Sequence, residues 1–256
     1  MLKNNKKKKT NFSNIVILFG ILVLIFYIAV ILYYYQQFLF FPEKTEKYNI
    51  NKLIERINIL EQEESEELAV NGNFKDLKTN ISTNQAKGLI EDSANKIINY
   101  LENNMFTELS NYVHPQKGVR FSPYAYVRED DIVFTAEHLK SFHDKEFWSN
   151  NIKYPWGNYD GSGEPIELTF SEYFYDFIYD KYYSRADYIL YNQTIVLGNS
   201  INNAANFYNN PIIVEYYFEP INPKYGGMDW SALRLVFEKF EGQWYLVGII
   251  HDEWTI

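Results

Sequence analysis

The sequence predicts an α+β domain carried behind a single N-terminal transmembrane helix. Three observations lead there. An unbroken apolar run occupies Ile15 to Tyr35, helical spacing dominates the segment after Gln85, and strand-like runs fill the C-terminal third.

The apolar run IVILFGILVLIFYIAVILYYY has 21 residues and no charge. At about 1.5 Å per residue it spans roughly 31 Å, close to the hydrocarbon thickness of a bilayer. Fifteen of its residues are Ile, Leu, Val or Phe, which favour insertion by about 5 to 9 kcal/mol in sum. Lys3, Lys6, Lys7, Lys8 and Lys9 precede it without an acidic residue among them. The basic tail 1–14 is therefore expected to stay in the cytoplasm, with the C-terminal domain extracytoplasmic. Tyr33, Tyr34 and Tyr35 form an aromatic collar at the far end. The run is too long for a cleaved signal peptide and no small-x-small site follows it. The expected location is the cell membrane, single-pass, with the lipid partner engaged through Ile15–Tyr35.

Residues 36–84 read as a juxtamembrane stalk and linker. QQFLFF (Gln36 to Phe41) suits the outer interface, and Pro42 breaks the helix. Ile50, Leu53, Ile57 and Leu60 keep an apolar seam for only two heptads, so a solvated helical stalk is expected. Asn71 to Asn84 reads as polar linker.

From Gln85 onward the pattern is compact. Leu89, Ala94, Ile97, Ile98 and Leu101 predict a helix capped by Thr83 or Asn84. A shorter helix follows over Phe106 to Tyr112, then an extended stretch over Gly118 to Val127. Ile132 to Phe134 pairs nearby, and Thr135 caps a helix reaching about His143. Ser171 is positioned to cap EYFYDFIYD, with Phe174, Phe177 and Ile178 inward and Asp176 and Asp180 toward water. Strands are expected over Tyr188 to Leu197, Ile212 to Glu219, Trp230 to Phe240 and Gln243 to Trp254. Glu241-Gly242 makes a hairpin turn between the last two. Ile212 to Glu219 alternates as a half-buried strand, whereas the final strand is apolar on both faces, as a central strand would be. Helices first and antiparallel strands after them give an α+β layer.

Composition narrows the function. The chain has no cysteine, which excludes disulfides, thiolate metal sites and a cysteine nucleophile. Its net charge is −9, but without the tail lysines the remaining 19 basic and 33 acidic residues leave −14. Such a domain repels phosphate backbones, so no nucleic-acid partner is expected.

The segments HPQKGVRFSPYAYV (His114 to Val127), WGNYDGSGEPIELTFSEY (Trp156 to Tyr173) and MDWSALRLVFEKFEGQWYLVGIIHDEWTI (Met228 to Ile256) resemble a group of uncharacterised extracytoplasmic proteins of low-GC Gram-positive bacteria. The element order of residues 85–256 resembles the nuclear transport factor 2-like superfamily, with its ketosteroid-isomerase-like and SnoaL-like domains. That resemblance implies a cone-like domain, its N-terminal helices packed on a curved antiparallel sheet. It also implies a cavity in which such enzymes move protons with a carboxylate base. No residue here matches that family's motif, so no catalytic role carries across.

Two constellations hold candidate chemistry. In NYDGSGE, oxygen side chains at Asn158, Asp160, Ser162 and Glu164 imitate the first half of a calcium loop, but Thr169 stands where the closing bidentate Glu belongs. The segment either holds Ca2+ weakly or is a tight Gly-rich turn, and the mismatch favours the turn. On the last strand His251 and Glu253 fall on one side and Asp252 on the other. His251 with Glu215, Tyr216, Arg234 and Glu253 is a candidate pocket floor, set against a strand-end salt bridge. His138 and His143 lie about 140° apart on a helix and cannot share a metal. His114, before a proline, is expected to bond backbone. Tyrosines between Tyr173 and Tyr191 are core residues or a surface for a cell-wall sugar or a protein.

The sequence thus supports a membrane-anchored extracytoplasmic binding module without cofactor, with a cavity enzyme using His251 and nearby carboxylates as the alternative.

Overall fold

The computed structural model describes residues 28–30, 32, 74–142, 151–196 and 201–255. The chain divides into two units, Met1–Glu67 and Leu68–Ile256. In the first, residues 28–30 and 32 are helical. The remainder of the expected anchor, the basic tail and the stalk to residue 73 lie outside the described residues, as does His143. Among the described residues no helix is long and apolar enough to cross a membrane.

The second unit opens earlier than its hydrophobic pattern announces. Phe74–Asp76 forms a short strand, β1, inside the stretch expected to be linker. Helix α1 (Thr83–Glu102) is capped by Ser82, one residue before the expected caps. The Ser82 side chain accepts from Gln85 N, and Gln85 reaches back in a capping box. Ala86, Ile90, Ala94, Ile97, Ile98 and Leu101 form its buried stripe. Leu89, expected inward, is 53% exposed because Ile90 takes the inward position one step round the helix.

Helix α2 (Phe106–Ser110) leads to β2 (Val119–Ser122) and β3 (Val133–Phe134). Thr135 caps α3 (Ala136–Ser141) as expected, its side chain accepting from His138 N. The hairpin of β4 (Lys153–Asn158) and β5 (Pro165–Thr169) feeds helix α4 (Phe170–Tyr173). Thr169, not Ser171, is the cap, with Glu172 completing a capping box. The helix then widens into a π-turn over Phe174–Ile178.

The predicted strand Tyr188 to Leu197 is broken. Asn192 adopts a positive φ of 53°, tolerable for asparagine, and separates β6 (Tyr188–Tyr191) from β7 (Gln193–Ile195). After helix α5 (Ala204–Phe207) come β8 (Ile212–Phe218), β9 (Ser231–Phe240) and β10 (Gln243–Glu253). Glu241 and Gly242 both take positive φ at the β9–β10 turn, as a two-residue hairpin requires.

The main sheet has six strands in the order β3-β2-β10-β9-β8-β6. The expected antiparallel sheet is in fact mixed, since β2 and β10 run parallel. A parallel pair needs a long connection, and everything from β3 to β9 intervenes between those two strands. β10 lies between β2 and β9 and is buried on both faces.

One face of the sheet meets the helices. Val214, Tyr216, Leu233, Leu235, Phe237 and Ile249 pack there with α1 residues and the aromatic set Phe106, Phe121, Phe134, Phe142, Trp156, Phe170 and Tyr173. Phe142 stacks on Phe170 at 3.9 Å and Trp156 on Tyr173 at 3.7 Å. The second face is also covered. There Ile213, Val236, Val247 and Ile250 pack with Ala204 and Tyr208, while Leu190, Ile195, Tyr217, Trp230 and Ala232 form a further cluster with Phe74. β8 is therefore not the half-buried strand its alternation suggests. β7 folds back over it, and β1 pairs with β7.

Candidate functional site

The covered second face carries charge. Glu215 pairs across strands with Arg234, and Arg234 with Ile250, so Asp252 falls diagonally from Arg234. Arg234 donates from Nε to Glu215 Oε2 at 2.5 Å and from Nη2 to Asp252 Oδ2 at 2.7 Å. Thr194 Oγ1 donates to Glu215 Oε2 at 2.5 Å, and Ile195 N to Oε1 at 2.8 Å. Both Glu215 oxygens are thus engaged by β7 and β9 together. Burial works against the guanidinium charge, yet Glu215 and then Asp252 outweigh it and raise the Arg234 pKa above its ordinary value. This network fastens the β7 return to the sheet.

The helix face holds a different polar group. Tyr216, Leu233 and His251 form one cross-strand row over β8, β9 and β10. His251 is 1% exposed, with Phe177 edge-on to its ring at 5.6 Å. Its Nδ1 faces the Pro123 carbonyl at 3.2 Å, which places the proton on Nδ1. Its Nε2 lies 3.8 Å from Asp180 Oδ2, within ion-pair range but beyond a hydrogen bond. Tyr183 Oη donates to Asp180 Oδ1 at 2.7 Å. Burial disfavours the imidazolium, but Asp180, with Glu253 and the Pro123 carbonyl, raises the His251 pKa. Burial likewise opposes the Asp180 charge, and His251 and Tyr183 overcome it to lower that pKa.

The five residues read as a pocket floor are therefore divided by the sheet. Glu215 and Arg234 sit on the second face, whereas Tyr216 and His251 sit on the helix face. Glu253, on the same side of β10 as His251, is exposed at the strand end. Asp252 joins the Arg234 network, on the side that strand alternation assigns it. Asp180 was expected to face water with Asp176. The π-turn inserts an extra residue per turn and carries Asp180 round to His251, a phase change that helical spacing does not encode.

Residues 158–164 form a closed turn. Gly163 N donates to Tyr159 O at 2.9 Å and Tyr159 N to Glu164 O at 2.8 Å. Asn158 Nδ2 donates to Gly163 O at 2.7 Å, and Ser162 Oγ accepts from Glu164 N at 3.3 Å. Asp160 N donates to Tyr124 Oη at 3.1 Å. The Asn158 amide and Ser162 hydroxyl thus serve the turn itself. Among the described residues no three His, Cys, Asp or Glu side chains converge to hold a metal. His114 Nδ1 accepts from Gln116 N and Lys117 N at 3.2 and 3.1 Å, the backbone role expected of it.

The tyrosine-rich segment is split. Tyr173, Tyr183 and Tyr191 are buried, while Tyr175 and Tyr182 are exposed. Shallow depressions flank Leu89 on α1, one bordered by Ile81, Gln85 and Gly88, the other by Ser93, Tyr112 and Trp244. Sequence periodicity missed this surface, because it placed Leu89 inside.

No family model matches the chain, and no curated protein matches it. Among solved structures, a designed protein whose name carries the label NTF2 is 15% identical, with 63% of this chain and 97% of that chain covered at a TM-score of 0.25. A likeness at that level carries no argument, and the α+β architecture rests on the strand order and layers described above.

Proposed function

We propose that this chain is a membrane-anchored extracytoplasmic binding module without catalytic activity, presenting an acidic cone-fold domain outside the cell membrane. One observation carries the reading. The space between helices and sheet, where a cone-fold enzyme of the nuclear transport factor 2-like kind keeps its cavity, is filled by interleaved rings such as Trp156 on Tyr173 and Phe142 on Phe170. His251 lies beneath that packing at 1% exposure, so a substrate atom has no approach to it. The depressions beside Leu89 and the exposed tyrosines remain as surfaces for a protein or a wall polymer.

The experiment is a pair of assays on the full chain in membranes. Photo-crosslinkers at Leu89 and Tyr175 are expected to capture a wall polymer or a neighbouring protein, and His251→Gln is expected to leave that capture unchanged. Capture at neither position would remove the reading. The alternative, a cavity enzyme, is favoured by the His251–Asp180–Tyr183 arrangement. It predicts that His251→Gln abolishes activity in a folded protein. Topology is read separately, since the chain has no cysteine. An impermeant maleimide should label Glu241→Cys but not Asn5→Cys in intact cells, and the reverse pattern would overturn the orientation.

A further inference from the structure

Residues 74–81 cover part of the second face, yet none of them is itself buried. What lies beneath is closed from water. Tyr217 and Trp230 are each 3% exposed, and Ala232 is 0% exposed. Phe74 stands edge-on to Tyr188 at 5.8 Å, Tyr188 lies 6.2 Å from Tyr217, and Tyr217 stacks on Trp230 at 6.1 Å. The four rings make one row with Phe74 at its end, and Leu190 and Ile195 belong to the same cluster.

The two layers over the sheet are fastened differently. β7 is tied from within, because Thr194 and Ile195 both bond the buried Glu215. The ties on residues 74–81 are fewer and lie nearer to water. β1 pairs with β7 over three residues, and Gln193 Nε2 donates to Asp76 Oδ1 at 2.9 Å on the exposed side. Asn80 bonds Asn210 at the surface. Leu77 and Ile81 add partial apolar contact.

One residue holds the rest. Asn192 O accepts from Leu77 N at 2.9 Å, and Asn192 Nδ2 donates to Ile81 O at 2.8 Å. On its other side, Asn192 N donates to Ile213 O at 2.8 Å and Asn192 Oδ1 accepts from Ile213 N at 2.9 Å. Asn192 therefore clasps both Leu77 and Ile81 to β8. Without that grip, a ladder of three residues is left to hold the segment. Short pairing, exposed hydrogen bonds and few buried side chains mark the segments of a fold that open first.

We infer that residues 74–81 are a strap that opens as a unit while β7 and the six-stranded sheet stay folded, with Asn192 as its latch. Opening uncovers the rings of Tyr188, Tyr217 and Trp230 and frees the outer edge of β7. The strap thus keeps an aromatic face and a strand edge out of contact until it opens. The device depends on neither the proposed anchor nor the surfaces beside Leu89.

The test is native-state amide hydrogen exchange on the full chain in detergent, with α1 and β9 as internal references. In the parent, amides of residues 74–81 should exchange about a hundredfold faster than those of β9, after correction for intrinsic rates. Asn192→Gly keeps a positive φ accessible and removes the bond to Ile81 O. It should speed strap exchange about fivefold to tenfold and leave α1 and β9 little changed. A second variant does not disturb the latch. Asp76 and Gln193 are direct antiparallel partners, a spacing that a disulfide can bridge, and the chain has no other cysteine. Asp76→Cys with Gln193→Cys should slow strap exchange to near the β9 rate when oxidised and release it on reduction. Exchange of strap and β9 at one common rate in the parent would overturn the inference. So would equal acceleration of strap and β9 in Asn192→Gly, since Asn192 would then hold the whole sheet. Strap exchange that is the same in the oxidised and reduced forms would show that the segment does not part from β7, and would overturn it as well.

Discussion

The two faces of the six-stranded sheet are both buried, yet by opposite chemistry. On the helix face, rings interlock around Phe106, Phe134, Phe142 and Phe170, and stabilisation follows the apolar area removed from water, roughly 25 cal/mol per Å². On the second face, Arg234, Glu215 and Asp252 occupy the interior with geometry that satisfies both Glu215 oxygens. Dehydrating such charges offsets most of their mutual attraction. The first face is held by area, whereas the second is held in one arrangement by hydrogen bonds. That contrast explains why β7, a strand of three residues, returns to one place over β8.

The largest expected effect separates these two modes. Arg234→Met leaves Glu215 and Asp252 buried without their cation and should cost about 3–5 kcal/mol in urea unfolding of the 68–256 unit. Replacing all three together, as Glu215→Leu, Arg234→Met and Asp252→Leu, should recover most of that loss. Phe106→Ala on the other face should cost a similar 3–5 kcal/mol, because it leaves a hole. A triple variant no more stable than Arg234→Met would show that the network stabilises the fold outright, and the proposed contrast would collapse.

A smaller effect tests how tightly the second face is fitted. Gly248 follows the irregularity in the β9–β10 pairing between Leu246 and Gly248. A Cβ there would lie 2.4 Å from Tyr208 Oη and 2.9 Å from its ring carbon. Gly248→Ala should therefore cost about 1–3 kcal/mol through forced displacement of the ring. Tyr208→Phe removes a buried oxygen that has no hydrogen-bond partner among the described residues, so in the Gly248→Ala background it should restore part of the loss. Equal stability of Gly248→Ala and the parent would mean that Tyr208 has room to move and the face is loosely packed.

Periodicity made one face legible and hid the other. Ala94, Ile97, Ile98 and Leu101 advertise the α1 stripe, and the two-sided apolar pattern of β10 announces a central strand. Glu215 misleads because alternation with charged residues normally marks water, and only the fold-back at Asn192 converts that side of β8 into interior. A positive φ at one asparagine leaves no pattern in hydropathy. Ser82 and Thr169 were each displaced by one or two residues from the expected caps, since several Ser, Thr and Asn residues cluster at those helix starts and spacing alone does not choose among them. At the candidate site, His251 was visible as a histidine at a strand end. Its partner Asp180 was not, because the π-turn over Phe174–Ile178 shifts the phase by a residue, which helical spacing does not encode.

His251 is where the helix face departs from its own rule, and its titration gives the smallest and most discriminating effect. Asp180 raises the His251 pKa above its unfolded value of about 6.5, so the charged pair stabilises the fold fully below that pH. The contribution is lost as pH rises through the higher folded value. At the acid limit, Asp180 is lowered below its usual 3.8, and its share disappears only as pH falls through that depressed value. The stability difference between the parent and His251→Gln should therefore be greatest near pH 5–6 and shrink toward pH 8. Asp180→Asn should flatten the same curve, because it removes the charge that favours the imidazolium. The side chain of Asp180 is 18% exposed, so water weakens the pair and keeps the effect below those at Arg234 and Gly248. A difference that stays constant across this range would mean a neutral His251 at every pH. The helix face would then be held by area and neutral contacts throughout, and the two faces would differ more sharply than the geometry of this pair implies.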